Sequence, residues 1–465
     1  IYTINNITEN KECSLTLKQG NLDTSGANTP DLVEGLIPVM YDGSKWVKAD
    51  STNSTSTYQW YDYDNKKWAN AVLVTETNRN TYMAAVAGRE IAESDILAYY
   101  VWIPRYKYKV WNINKVIGTD SYNAYNTGID IVFENDKEST GTISCEYNYN
   151  VDTSNGGVDL STTTAETCTG SNGDYYTHPA FTFGSDNVKG FWIGKFELTG
   201  SSSQLTILPN QTSLRKQTVS NFSTMIQNMQ TSSNIYGLNT SRTNTDSHML
   251  TNYEWGAVAY LTNSKYGRCT NGSCTEVSIN GYGETEYWTT MTGCGPISSG
   301  STSYGTTCNA YNTTLGQLAS TTGNITGVYD MSGGAYEYVM GNMSSVTTGY
   351  TFYPSSSDFA SGWYTADTAK YVTTYAYDTV YNSQKTYNRG RLGDAAAETI
   401  SAFSASNSGG WYSDYTRFLS SIDRSWFGRG GGFHYGSKAG VFNFFGFVGS
   451  NNDGYSSRAA LVSLK

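Results

Sequence analysis

Charge is scarce in this sequence. Only 15% of the residues are Asp, Glu, Lys or Arg, and their balance is acidic, with a formal net charge of -10. That excludes a nucleic-acid interface, which needs a basic face for phosphates. Arg429-Gly430-Gly431 occurs once and its surroundings are not basic. Histidine is scarcer still: His178, His248 and His434 lie far apart, and each is expected at the surface or in a turn. No H-E-x-x-H, G-x-S-x-G or phosphate-loop motif occurs, so the common hydrolytic and nucleotide chemistries have no carrier. No stretch approaches the ~18 apolar residues of a membrane span. The chain begins at Ile1, not Met, which leaves room for a removed leader, and for anchoring or pilus assembly through such a segment.

C-x-x-C is also missing, which weakens zinc-ribbon and thioredoxin readings. The seven cysteines are Cys13, Cys145, Cys168, Cys269, Cys274, Cys294 and Cys308. Cys269 and Cys274 bracket a short turn, while Cys145/Cys168 and Cys294/Cys308 bracket polar loops. Loops of this kind are stapled by disulfides in an oxidising compartment. The expectation is three bridges between these sequence neighbours, with Cys13 left over.

Aromatic residues and glycine are abundant instead, with 39 Tyr, 11 Trp and 47 Gly. Tyrosine supplies contact area and a hydrogen-bonding tip at little entropic cost, which suits extracellular binding proteins rich in strands. Apolar residues are spread throughout, unlike in a disordered chain. A length of 465 residues predicts two or three domains.

Residues 1–115 read as a β-rich module. "IPVMYDGSKWVK" predicts a hairpin around Asp42-Gly43, and "YDYDNKKWANAVLV" repeats the idea around Asp64-Asn65. "AYYVWIPRYKYKVW" reads as a strand whose proline suggests a sheet edge. Residues 116–177 are expected to be a loop-rich connection. From residue 178 the chain is expected to form a second domain, running to 465. Leu214, Val219, Phe222, Met225, Ile226 and Met229 recur at helical spacing. Thr251 and Glu254 predict a capping box at the start of a second helix. Two helices among many short strands indicate an α+β fold.

Four segments of this second half carry a resemblance. "GFWIGKFELTG", "HMLTNYEWGAVAYL", "NITGVYDMSGGAYEYVMG" and "RGGGFHYGSKAGVF…SSRAALV" occur in the order of the motifs of the C-type lectin fold of the formylglycine-generating-enzyme type. The resemblance implies that fold over roughly Phe181 to Lys465, with long insertions. Oxidases of that family bind copper through a cysteine pair near the C-terminal strands. Residues 425–465 contain no cysteine, and soft Cu(I) wants thiolates, so an oxidase is the disfavoured alternative. Glu254 and Glu337 are expected to serve structure rather than catalysis. Asp330 and Ser332-Gly333-Gly334 predict a turn, with Tyr336 and Tyr338 facing the core.

The segment 428–462 resembles more closely the variable region in ligand-binding proteins of diversity-generating retroelements, in which mutated codons near the C-terminus alter a display surface. Residues 1–115 resemble a module that precedes lectin-fold domains in gut bacterial surface proteins, some with pilin-type leaders. The implied function is a secreted or surface-displayed adhesin-like protein, not an enzyme, with an unidentified protein or glycan ligand. A structural pilin or surface-layer subunit is the other alternative. No cofactor is expected beyond a structural calcium held by Asp and backbone oxygens, whose ligands the sequence does not name.

Strand alternation separates scaffold from display in this segment. Phe442 and Phe444 are assigned to the core, together with the framework residues Gly440 and Arg458. The ligand-binding positions are expected to be Phe433, His434, Tyr435 and Lys438 on one turn; Asn443, Phe445, Phe447 and Val448 on a strand; and Ser450, Asn451, Asn452, Asp453 and Tyr455 beyond it. An exposed aromatic patch usually marks a contact surface.

Overall fold

The structure, a computed structural model, describes residues 21–147, 151–152, 157–158, 166–286, 288–344, 352, 354–360, 362–376, 390–402, 409–417 and 422–465. Cys13 lies outside them. The two main sheets are built from β1 (Ile37–Tyr41), β2 (Trp46–Lys48), β3 (Asn70–Val74), β4 (Ile96–Pro104), β5 (Gly190–Gly194), β6 (Thr245–Met249), β7 (Tyr336–Ser344), β8 (Thr373–Ala376), β9 (Trp426–Gly430), β10 (Gly440–Phe447), β11 (Tyr455–Ser457) and β12 (Ala459–Ser463). The longer helices are α1 (Glu76–Ala84), α2 (Val219–Asn228) and α3 (Asn252–Thr262). The fold is α+β.

The larger sheet runs in the order β6-β12-β5-β4-β3-β1-β2, with each neighbouring pair antiparallel. β1 and β2 form the expected hairpin, with Tyr41 opposite Trp46. Around Asp64-Asn65 the chain makes a 3-10 turn closed by an Asp62–Lys67 bridge in place of a second hairpin. β4 is central rather than an edge. All nine of its residues are buried, and its apolar run has partners on both sides. Pro104 does not interrupt it, because it is the last residue, opposite Gly190. Trp102 pairs across the ladder with Trp192, their rings 5.2 Å apart, and such cross-strand aromatic pairs help fix register.

This sheet spans the boundaries expected at 115 and 177. The β4–β5 and β5–β12 ladders join the N-terminal strands to the last strand of the chain, so one hydrophobic core serves both. Residues 116–177 contribute more than loops: Ile131–Phe133 and Tyr175–Thr177 flank Tyr106–Lys109 in a small antiparallel sheet. Cys145–Cys168, Cys269–Cys274 and Cys294–Cys308 are all disulfide-bonded, consistent with an oxidising, extracellular location. Among the described residues no helix is long and apolar enough to cross a membrane.

α3 begins with the expected capping box: Thr251 Oγ1 accepts from the Glu254 N–H, and Glu254 Oε2 accepts from the Thr251 N–H at 2.8 Å. The helix is buried almost all round. It packs so closely that a Cβ on Gly256 would lie 2.0 Å from the Gly393 carbonyl. Trp255 Nε1 donates to the Val441 carbonyl, which ties α3 to the second sheet. That sheet runs β8-β7-β9-β10, with β11 pairing parallel to the first half of β7.

Candidate functional site

The second sheet has two chemically different faces, set by the alternation of side chains along β7 and β10. Glu337, Arg429, Phe442 and Phe444 turn to the core, and all are fully buried. Arg458 Nε donates to Glu337 Oε2 at 2.9 Å, and its Nη2 donates to Oε1. Burial raises the Glu337 pKa, and the Arg458 guanidinium opposes that rise. The Arg429 guanidinium lies 5.5 Å from the Trp255 ring and 5.7 Å from that of Phe444, a buried cation–π arrangement. Glu254 and Glu337 thus serve structure.

Tyr336, Tyr338, Phe445 and Phe447 belong to the other face. Gly428 sits between them, opposite Tyr338 on one side and Phe445 on the other. A Cβ there would be 3.2 Å from Phe445 Cε1 and from Tyr455 Cε1, so its missing side chain is what lets these rings meet. Tyr455 stacks on Tyr338 at 4.4 Å, on Phe447 at 4.6 Å and on Tyr336 at 5.0 Å. Phe445 and Tyr435 stand edge-on to Tyr336 at 5.0 and 5.1 Å.

All of these rings except Tyr338 line a cavity of about 450 Å³. Tyr336 and Tyr455 are buried, and Phe445 and Phe447 half-buried. The turn after Gly432 contributes His434 and Tyr435; the loop before β11 contributes Asn451, Asn452, Asp453 and Gly454; Trp288 supplies a further wall. Trp288 stands edge-on to His434 at 4.6 Å. Burial lowers the His434 pKa, which keeps the imidazole neutral near pH 7. Its Nδ1 is buried with no hydrogen-bond partner among the described residues. Asn452 Oδ1 accepts from the Gly454 N–H at 2.9 Å, a local Asx turn that shapes the loop.

Of the positions expected to bind ligand, His434, Tyr435, Phe445, Phe447, Asn451, Asn452, Asp453 and Tyr455 therefore lie around one cavity. The others are not part of its lining. Phe433 is buried beneath Gly283 and packs on Tyr304 at 5.3 Å. Lys438 is exposed at the end of the turn. Val448 is half-buried, its carbonyl accepting from the Ser356 N–H, and the Ser450 carbonyl accepts from Tyr338 Oη.

Asn443 departs from the expected display face: it is fully buried, and its Nδ2 donates to the Lys438 carbonyl at 2.8 Å. The cause is a bulge. Arg429 pairs with Phe444 but Gly430 pairs with Gly440, so residues 441–443 have no counterpart on β9 and simple alternation fails there.

Sequence reasoning missed Trp288, and it gave Tyr336 to the core, where it is buried, without the cavity that it also lines. Trp288 is remote in sequence and sits in a turn with no local pattern. Tyr336 carried a signal, its position one step from Glu337 on an alternating strand.

His178 and His248 are fully buried, not surface residues. Burial drives the His178 pKa down to about 3. His248 goes the other way. Burial alone would lower it, but the Glu254 and Asp246 carboxylates raise it to about 9. Its Nε2 is 3.0 Å from Glu254 Oε1 and its Nδ1 is 3.4 Å from Asp246 Oδ1. A second cavity, of about 420 Å³, lies beside this cluster between Phe183, Tyr253 and Lys370. The Glu254 carboxylate on its wall is already engaged by the helix cap and His248.

Among the described residues one group has metal-ligand spacing, Cys145, Glu166 and Cys168. Its two sulfurs are bonded to each other, and Glu166 Oε2 already accepts from Lys115 Nζ and the Leu392 N–H. It therefore offers no thiolate donors. No protein-family model matches the chain, and no curated protein matches it.

Proposed function

We propose that the chain is a secreted or surface-displayed ligand-binding protein of adhesin type. Its aromatic cavity seats a ligand carried by another cell, and it acts by recognition without turnover. A C-type lectin fold holding a region diversified by a retroelement is the architecture that the motif order suggests. The carrying observation is a separation of faces. Tyr435, Phe445, Phe447 and Asn451 surround the cavity, while Arg429, Phe442, Phe444 and Arg458 hold the core on the opposite face. Replacing the first group would reshape the seat and leave the second group packed. Rigid rings with a polar rim also provide contact area at low entropic cost.

Sequencing the gene across many isolates tests the diversification. Substitutions should concentrate at the cavity positions, beside a reverse-transcriptase gene and a near-copy of the gene's end that differs mainly at adenines. An even spread of substitutions would sink that part. Binding is tested by Phe445→Ala and Tyr435→Ala, which should weaken capture of the partner about tenfold or more, as expected for aromatic anchors.

A further inference from the structure

We infer that the cavity receives an acidic segment of a partner protein, with an aromatic or apolar side chain inside and its carboxylates at the rim. The inference rests on the binding role proposed above and adds the chemistry of the partner. Its basis is a local reversal of charge. The whole chain carries -10, yet on the β10 side of this cavity the exposed or half-exposed ionic side chains are mostly basic, Arg417, Arg424 and Lys438 against Asp423, while on the Trp288 side Arg215 and Lys216 face Asp453, Glu284 and Glu286.

Contacts place most of these cations, and Arg424 is placed by its charge on neighbouring phenols. The Arg417 N–H donates to the Phe444 carbonyl at 2.9 Å, so residues 415–417 run along the open edge of β10. Tyr415 in that segment packs on Tyr435 at 5.5 Å and on Phe445 at 6.0 Å. Burial raises the Tyr415 and Tyr455 phenols, and Arg424 lies near enough to both for its charge to oppose that rise. Lys438 ends the turn that carries His434 and Tyr435. Across the cavity, Lys216 Nζ is 3.3 Å from Asp453 Oδ2, so the one lining carboxylate is already countered.

Charges farther away than about 8 Å are largely screened at physiological salt. A carboxylate arriving at the β10 side of the rim therefore responds to Arg417, Arg424 and Lys438 more than to the net acidity of the chain. The interior favours a side chain over a sugar. Its walls are mainly rings, and the Asn452 side-chain oxygen is already engaged by Gly454. Beyond His434 Nδ1 and Tyr336 Oη, buried without partners among the described residues, few wall atoms could pair with a sugar's hydroxyls, and each one left unpaired costs affinity.

Three probes with one aromatic body separate the charge states: phenylacetate, phenylacetamide and phenethylammonium. Saturation-transfer NMR on the intact protein at about 0.15 M salt should rank them anion, neutral, cation. About fivefold should separate first from last, a span in keeping with a few partly screened charges. The double variant Arg417→Glu/Arg424→Glu should invert the order of the charged probes and leave phenylacetamide unchanged, which also shows that the variant is folded. Cation-first or charge-blind binding overturns the inference and leaves the cavity reading intact, because all three probes share the ring. Strong saturation of 3′-sialyllactose with none of phenylacetate overturns it in favour of an acidic glycan. If no probe is saturated, and Phe445→Ala also leaves partner capture unchanged, both readings fall.

Discussion

Arg215 Nη1 donates to the Asp453 carbonyl at 2.6 Å, and the same nitrogen reaches the Trp288 carbonyl. One side chain thus holds the loop before β11 and the turn at Trp288, two walls of the cavity that are remote in sequence. Arg215→Gln should release both. Tryptophan emission should shift to the red as Trp288, already 36% exposed, gains solvent, and amide exchange at Asn451 to Tyr455 should quicken. Global stability should fall by about 1.5–3 kcal/mol, the usual scale for a hydrogen bond that involves a charged group. An unchanged exchange pattern would mean that the walls hold themselves.

His248 makes stability depend on pH with a definite sign. Its folded pKa, about 9, lies above the ordinary 6.5 because the Glu254 and Asp246 carboxylates outweigh burial. The folded state therefore holds the proton more tightly. The stabilisation is complete below about pH 6.5 and is lost as pH rises through about 9. The shift corresponds to a contribution on the order of 3 kcal/mol. His248→Gln should lower the urea midpoint most at pH 6 and least at pH 9.5. Tyr371, Lys370 and Arg242 also contact Asp246, and comparing variant with parent at each pH cancels what they contribute to both. Equal losses at the two pH values would rule out a charged His248.

The parts of this molecule that were legible in the sequence are those fixed by short-range geometry. The disulfides join neighbours across turns, and the Thr251–Glu254 capping box spans three residues. Phe445 and Phe447 follow β10 alternation where the ladder is regular. Long-range pairing hid the rest. Nothing local says that β5 pairs with β4 or that β12 returns beside β5, so the strands before residue 115 looked like a separate module. Asn443 was misassigned because a bulge cancels the alternation rule. His178 and His248 looked like surface residues because their buried contacts come from other segments, Gly393 in one case and the residues around Asp246 and Glu254 in the other.

Gly428 should control the shape of the cavity. Its missing Cβ leaves the space between Phe445 and Tyr455, and any side chain there would press on both rings. Gly428→Ala asks them to yield a few tenths of an ångström. Gly428→Val needs more, at an overpacking cost of about 1–3 kcal/mol. Probe binding should weaken modestly in the first variant and by about tenfold or more in the second, a loss measurable by the same saturation-transfer experiment. If both variants bind as the parent does, the rings are not held by Gly428.

The three disulfides should differ in value according to the loop each closes. Their sequence separations are 5 for Cys269–Cys274, 14 for Cys294–Cys308 and 23 for Cys145–Cys168. Chain entropy alone predicts losses of about 2 kcal/mol for the shortest loop and about 3 kcal/mol for each of the others. Serine pairs at each bridge, compared by urea midpoint at constant slope, test that order. The Cys294–Cys308 loop carries a further load. Its Tyr304 ring packs on Phe433, and the backbone of Gly305 exchanges hydrogen bonds with Gly281 and with Gly283, which lies against the Phe433 ring. Opening it should therefore cost more than opening Cys145–Cys168 despite the shorter loop, and should expose Phe433 beneath the His434 and Tyr435 wall. A ranking by loop length alone would show that the bridge acts on the unfolded chain and contributes nothing to the cavity.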